Sequence, residues 1–235
     1  MVYEDAETTA LRLALCQEHW FGACPPALQD ALLAHGRLRR LASGETLYAR
    51  GVPSEHALYC VVEGALCIGT TDSKGLPSLL VYLEPHHWFG ELPLIDGLPR
   101  THDAVADGAT AVLCVPQTRL QGWLDTHPAH WRDIARLAAG KLRVAYQVLG
   151  EPGSLPQRLA RRLWLVAHGF GSRGAAPRLR LNLSQEQLAH MLGASRQSIN
   201  MALRSLEQVG VIAQHYRSIE VLDIEALRLS AICAR

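Results

Sequence analysis

Apolar residues change their spacing several times along the 235-residue chain, and each change marks a different kind of element. From about Ala6 to Arg40 the intervals are helical, which predicts short helices over Thr8–Trp20 and Pro26–Gly36. From Leu41 to Pro116 the texture turns β-rich. Short runs at Ala57–Val62, Ala65–Thr70, Ser78–Leu83 and Ala109–Val115 alternate with turn residues at Gly44, Gly51, Gly64, Gly75 and Pro85, the pattern of an antiparallel jelly roll or barrel. Pro128 to Leu149 predicts one long helix with a seam of Ile134, Ala138, Leu142, Ala145 and Leu149, flanked by Leu137 and Val148. Such a seam suits pairing with the same helix of a second copy; packing on the chain's own barrel is the alternative. Glu151-Pro152-Gly153 breaks the helix into a hinge. Leu155–His168 is again helical, and Gly169–Pro177 reads as a loop. Two more helices follow, the second closed by Gly210. Val211–Leu222 then alternates around a turn near Arg217-Ser218, which predicts a β-wing. No internal repeat or low-complexity tract interrupts the pattern.

The two helices before the wing carry the sharpest pattern. With Gln185 as the first position of a twenty-residue unit, Ala189 is fifth, Gly193 ninth and Ile199 fifteenth. A small Ala189 lets two helices cross closely, Gly193 permits a turn at positive φ, and Ile199 fills the gap between them. Leu188, Leu192, Ala202, Leu203 and Leu206 extend the apolar face. Ser184 and Ser195 supply N-cap oxygens. This is the spacing of a helix-turn-helix. The outer face of the second helix, Arg196, Gln197, Asn200 and Arg204 with Ser198 beside them, suits base edges: Arg pairs with guanine O6/N7, and Gln or Asn with adenine N6/N7. Ser184, Gln185 and Ser195 complete the candidate DNA contacts.

Overall charge is uninformative, but its distribution is not. Residues 157–235 hold eleven Arg against five acidic residues, whereas the remainder holds twelve basic and seventeen acidic ones. A basic C-terminal part beside an acidic N-terminal part fits phosphate contact by the helix-turn-helix. The acidic opening, Met1 to Glu7, is unlike a secretory leader, and no run approaches the roughly 20 apolar residues of a membrane helix. A cytoplasmic protein without membrane association is expected. Six Cys without C-x-x-C spacing read as reduced thiols, Cys60, Cys67 and Cys114 as buried hydrophobes, and Cys16 with Cys24 falls short of the thiolate set of an iron–sulfur sensor. Among eleven His, His86, His87 and His102 are close enough in sequence to consider, but none forms a metal-ligand pair by spacing. The clustered ligands of a cupin-like metalloenzyme, a nucleophile elbow and a P-loop are all missing, so no enzymatic activity is expected.

The order of barrel, long helix, hinge and winged helix-turn-helix resembles the CRP/FNR family of bacterial transcription regulators from about Leu41 to Leu227. FGELPLIDGLPRT at 89–101 looks like the family's phosphate-binding cassette, and GASRQSINMALRSLEQVGVI at 193–212 is similar to its recognition helix and wing entry. The resemblance implies an α+β chain with a sensing β jelly roll over residues 1–127, a dimerisation helix and hinge over 128–152, and a winged helix-turn-helix over 153–235. It also implies a homodimer paired through helix 131–149 on an inverted repeat of double-stranded DNA, with RNA polymerase as a further partner if the protein activates. For the barrel it implies a cyclic nucleotide or other small anionic effector at Gly90, Glu91, Arg100, Thr101, Lys141 and Tyr146. Gly90 would expose backbone N–H groups, Glu91 would accept from a ribose hydroxyl, and Arg100 with Thr101 would hold a phosphate. Several positions depart from the cyclic-AMP-binding members. Ala145-Tyr146 replaces a Thr-Ser pair, Lys141 replaces an Arg, His102 a small residue and His86-His87-Trp88 a Gly-Asp-aromatic turn. Met201 replaces a second base-reading Arg. A ligand-independent regulator, or one controlled by redox or haem, remains the alternative within the same fold.

Overall fold

The computed structural model describes residues 6–16, 18–52, 56–71, 77–149, 153–168, 177–216 and 218–232. The chain divides into two compact units, residues 1–70 with 80–140 and residues 71–79 with 141–235. The first opens with helices α1 (Ala6–Leu15), α2 (His19–Gly22) and α3 (Pro26–His35). Strands β1 (Arg37–Leu41), β2 (Thr46–Tyr48), β3 (Ala57–Glu63), β4 (Leu66–Thr71), β5 (Pro77–Leu83) and β6 (Trp88–Phe89) follow, then the short helix α4 (Glu91–Asp96). Next come β7 (Asp103–Ala106), β8 (Thr110–Pro116), α5 (Gln117–Thr126) and the long α6 (Trp131–Leu149), which belongs to the first unit as far as Gly140 and to the second from Lys141. The strands form two four-stranded sheets, ordered β1-β8-β3-β6 and β2-β7-β4-β5, an antiparallel jelly roll.

β3 shows why this barrel reads as apolar runs rather than clean alternation. Leu58 and Cys60 face a core shared with Phe21, Leu28, Leu32, Leu120 and Leu124 of the helices. Tyr59 and Val61, on the other face, join Tyr48, Leu66, Ile68, Phe89 and Ala104 in a second core. A strand buried on both faces keeps no polar side. Trp88 anchors the helical layer, stacked on Phe21 with ring centroids 5.4 Å apart and edge-on to Trp20 at the same distance.

Three expectations need correction. The first helix ends at Leu15 rather than Trp20, because Glu18 starts α2 by accepting the Phe21 N–H at 2.7 Å. That break turns Trp20 inward, where its Nε1 donates to the Asp133 carbonyl at 2.7 Å. Arg37–Arg40, assigned to the helical opening, forms the edge strand β1, paired from Arg37 opposite Cys114 to Leu41 opposite Thr110. Its exposed Arg side chains suit an edge that must not recruit further strands. Ile134, placed in the intersubunit seam, is fully buried with Leu137 in the chain's own helical core. The seam is therefore divided: its first turns pack on the barrel, while Leu142 stays half exposed and Ala138 and Ala145 are partly buried. The Glu151-Pro152 part of the hinge, most of the 169–177 loop, Gly75, Arg217 and the side chains of Val148 and Leu149 lie outside the described residues.

The second unit holds α7 (Leu155–Ala167), β9 (Arg180–Leu181), α8 (Gln185–Leu192), α9 (Arg196–Gln208), β10 (Ile212–His215), β11 (Ser218–Val221) and α10 (Ile224–Ile232). β10, β11 and β9 form a three-stranded antiparallel sheet. Leu159, Leu163, Leu188, Ile199, Leu203 and Leu227, all inaccessible to solvent, supply its core.

Candidate nucleic-acid interface and effector site

Local sequence builds the α8–turn–α9 unit. Ser184 accepts the Gln187 N–H at 3.1 Å while Gln187 Oε1 accepts the Ser184 N–H at 2.8 Å, a reciprocal cap that starts α8. Gly193 ends α8 at φ 59°, ψ 40°. Ser195 starts α9 by accepting the Ser198 N–H at 3.1 Å. Ala189, Ile199, Ala202, Leu203 and Leu206 are all buried, as their spacing requires. The opposite side of α9 exposes Arg196, Gln197 and Arg204, with Ser198 and Asn200 half-buried and Met201 exposed. Asn200 is not free-standing: its Oδ1 accepts from Gln185 Nε2 at 3.4 Å, which ties α9 to the start of α8. Gln214, unnoticed in the sequence, sits on β10 within 3.3 Å of the same nitrogen. Only the folded wing brings it there.

At the barrel, Gly90 takes φ 93° and precedes α4. A Cβ there would lie 2.7 Å from both the Ala57 carbonyl oxygen and Arg100 Nη1, so the turn and the arginine exclude any side chain. Gly90→Ala is expected to lower stability by about 1–3 kcal/mol, seen as a lower melting temperature, because left-handed backbone and a fixed carbonyl both oppose it. Arg100 is buried, with its guanidinium carbon 4.4 Å from the Tyr48 ring centroid and 5.1 Å from that of Tyr59. Nη2 donates to the Ala57 carbonyl at 2.7 Å, and Nε is buried without a hydrogen-bond partner. A buried cation with a spare donor is costly unless something anionic meets it. Glu91 is buried beside this turn; Thr101 is exposed, its Oγ1 2.8 Å from His102 Nδ1. His86, where a glycine would be at ease, adopts φ 75°. Lys141 and Tyr146 belong to the second unit, with Tyr146 largely exposed.

Among the described residues, no group of three or more His, Cys, Asp or Glu side chains could hold a metal ion. Burial pushes the Cys24 thiol up to about 12, with Asp133 adding to it, and the Cys114 thiol up to about 11; burial raises Cys60 well above its usual value. These groups stay protonated at neutral pH and lack the thiolate that oxidation requires. Among the described residues, no helix is long and apolar enough to cross a membrane.

Residues 38–127 match the cyclic nucleotide-binding domain and residues 157–229 the Crp-like helix-turn-helix domain. A CRP-like cAMP-activated global transcriptional regulator from Mycobacterium tuberculosis is 31% identical over 78% of this chain and 83% of its own length. The chain belongs to the CRP/FNR family. It is a DNA-binding transcription regulator of that type, with the helix-turn-helix of the second unit as its reading element. The transcriptional regulator LdrP of Thermus thermophilus is 29% identical over 83% of this chain and 96% of that protein. The FixK2 structure from Bradyrhizobium japonicum shares the fold, with a TM-score of 0.71 at 21% identity over 85% of this chain and 99% of that one.

Proposed function

We propose that this regulator is a homodimer on an inverted-repeat operator whose DNA affinity is set by a small anion in the barrel, with a cyclic nucleotide as the chemical class. In this reading, residues 1–127 sense, 128–152 dimerise and bend, and 153–235 read DNA. The observation that carries the effector assignment is Arg100: a buried guanidinium with an unused Nε donor, beside a Gly90 turn that leaves no room for a side chain. A cyclic phosphate supplies the charge and acceptors this group lacks. Two relatives strengthen the choice of ligand class, since the Mycobacterium tuberculosis and Salmonella typhimurium proteins are both named as cAMP-activated. An activator would in addition contact RNA polymerase. Thermal stabilisation across a panel of cyclic nucleotides, with haem as a parallel arm, tests the assignment; no shift with any nucleotide removes it.

For the DNA face, Arg196→Ala is expected to weaken specific binding by about 1–3 kcal/mol and to relax preference for one guanine per half-site. Equal weakening on random DNA would show that Arg196 touches only phosphate. Met201, exposed where the cyclic-AMP-responsive members carry a second reading Arg, implies an operator that differs from theirs at that base pair.

A further inference from the structure

We propose that Glu207 and Gln214 set the polarity of the Asn200 side-chain amide, so that Asn200 reads its base pair as a hydrogen-bond donor. The proposal rests on the DNA-reading role of α9. A carboxylate can only accept hydrogen bonds. Glu207, in the last turn of α9, accepts the Gln214 backbone N–H on Oε1 at 2.8 Å and the Gln214 side-chain Nε2 on Oε2 at 2.9 Å. Those bonds, the backbone one first, also lower the Glu207 pKa and keep it ionised. Gln214 must therefore turn its nitrogen toward Glu207 and its oxygen away. That oxygen accepts from Gln185 Nε2 at 3.3 Å, and the same nitrogen donates to Asn200 Oδ1 at 3.4 Å. The carboxylate's one-way character thus passes through two glutamines to the reading helix.

An unconstrained amide exchanges donor for acceptor by half a turn. Here the relay engages the Asn200 oxygen and leaves the Nδ2 hydrogens to be offered to DNA. The bidentate Asn–adenine pair needs the amide oxygen for N6–H₂ as well as the nitrogen for N7. With one lone pair of its oxygen taken by Gln185 and the amide held in that orientation, Asn200 is better matched to an acceptor-only edge: guanine first, with N7 and O6, and thymine O4 second. Cytosine, which presents a donor, is the worst match. Four residues from α8, α9 and β10 thereby act as one specificity device, with Glu207 and Gln214 as positioning residues.

Binding-site selection from a randomised duplex pool tests this on the full-length chain, run with and without cyclic AMP. The position read by Asn200 is the one whose preference disappears in Asn200→Ala. At that position the wild type is expected to select guanine or thymine. Glu207→Gln frees Gln214 to flip and is expected to bring adenine within about threefold of the preferred base, without changing the position read by Arg196. Combining Glu207→Gln with Gln214→Glu puts the carboxylate back in the relay one residue along, and should restore the original preference. Wild-type selection of adenine or cytosine there overturns the proposal, as does an Asn200→Ala profile identical to wild type. A merely loosened wing would weaken all sequences alike, so Glu207→Gln that binds less tightly with its preference intact also overturns it. Arg196→Ala, run in parallel, separates the two levels: a changed Arg196→Ala profile beside an unchanged Asn200→Ala profile keeps α9 as the reading helix and overturns only the relay, whereas no change in either profile means that α9 is not the reading helix.

Discussion

Arg100→Leu is expected to abolish cyclic-nucleotide binding and the nucleotide-dependent part of DNA affinity, while basal DNA binding persists. The guanidinium is the buried cation of the cassette, and its Nε has no protein partner. Charge-assisted hydrogen bonds contribute about 1.5–3 kcal/mol each, so losing two weakens the ligand by roughly two orders of magnitude or more. Leucine keeps an apolar contact with Tyr48 and Tyr59 and removes a buried charge, but it leaves the Ala57 carbonyl without its donor. Arg100→Gln serves as the companion variant, because an amide can still donate to that carbonyl without carrying charge. A ligand shifts a conformational equilibrium only by its differential affinity for the two states. Loss of binding must therefore remove the response with it. Calorimetry with cyclic AMP, paired with operator titrations, gives the answer; a Leu variant that binds nucleotide as tightly as wild type would mean the anion sits elsewhere.

Leu142→Glu is expected to yield a monomer whose affinity for an inverted-repeat operator falls by about 10²–10⁴-fold, the effect of losing one of two linked half-sites. Leu142 is the informative choice because it is half exposed in the single chain. A charge there leaves the chain's own core alone and buries like charges only across a two-fold seam. Ile134→Glu would not separate the two, since Ile134 is already sealed within the helical core of the first unit. Sedimentation of the variant checks the expectation. A Leu142→Glu protein that remains a dimer places the interface on another surface. With the interface on α6, recognition helices of the pair should meet half-sites about 34–36 Å apart.

The division between what sequence determined and what tertiary structure decided follows the range of the interactions involved. Sequence determined the reading unit almost completely. Ser184, Gly193, Ser195 and the Ala189–Ile199 pair work within one turn or one helix crossing, so residue type and spacing suffice. The Gly and Pro punctuation of the barrel, the long α6 and the wing were legible for the same reason. Tertiary structure decided where α1 stops, because Glu18 caps a helix whose purpose is to bury Trp20 against Trp88 and Asp133. It decided that an arginine-rich stretch, Arg37–Arg40, is a strand, since only pairing with β8 holds it extended. It divided the α6 seam, because hydrophobic spacing is identical whether a helix packs on its own barrel or on a second copy. It also assembled the Glu207–Gln214–Gln185–Asn200 relay. Those four side chains come from three elements, and hydrogen-bond polarity passes between them only once the wing has folded back against α8 and α9.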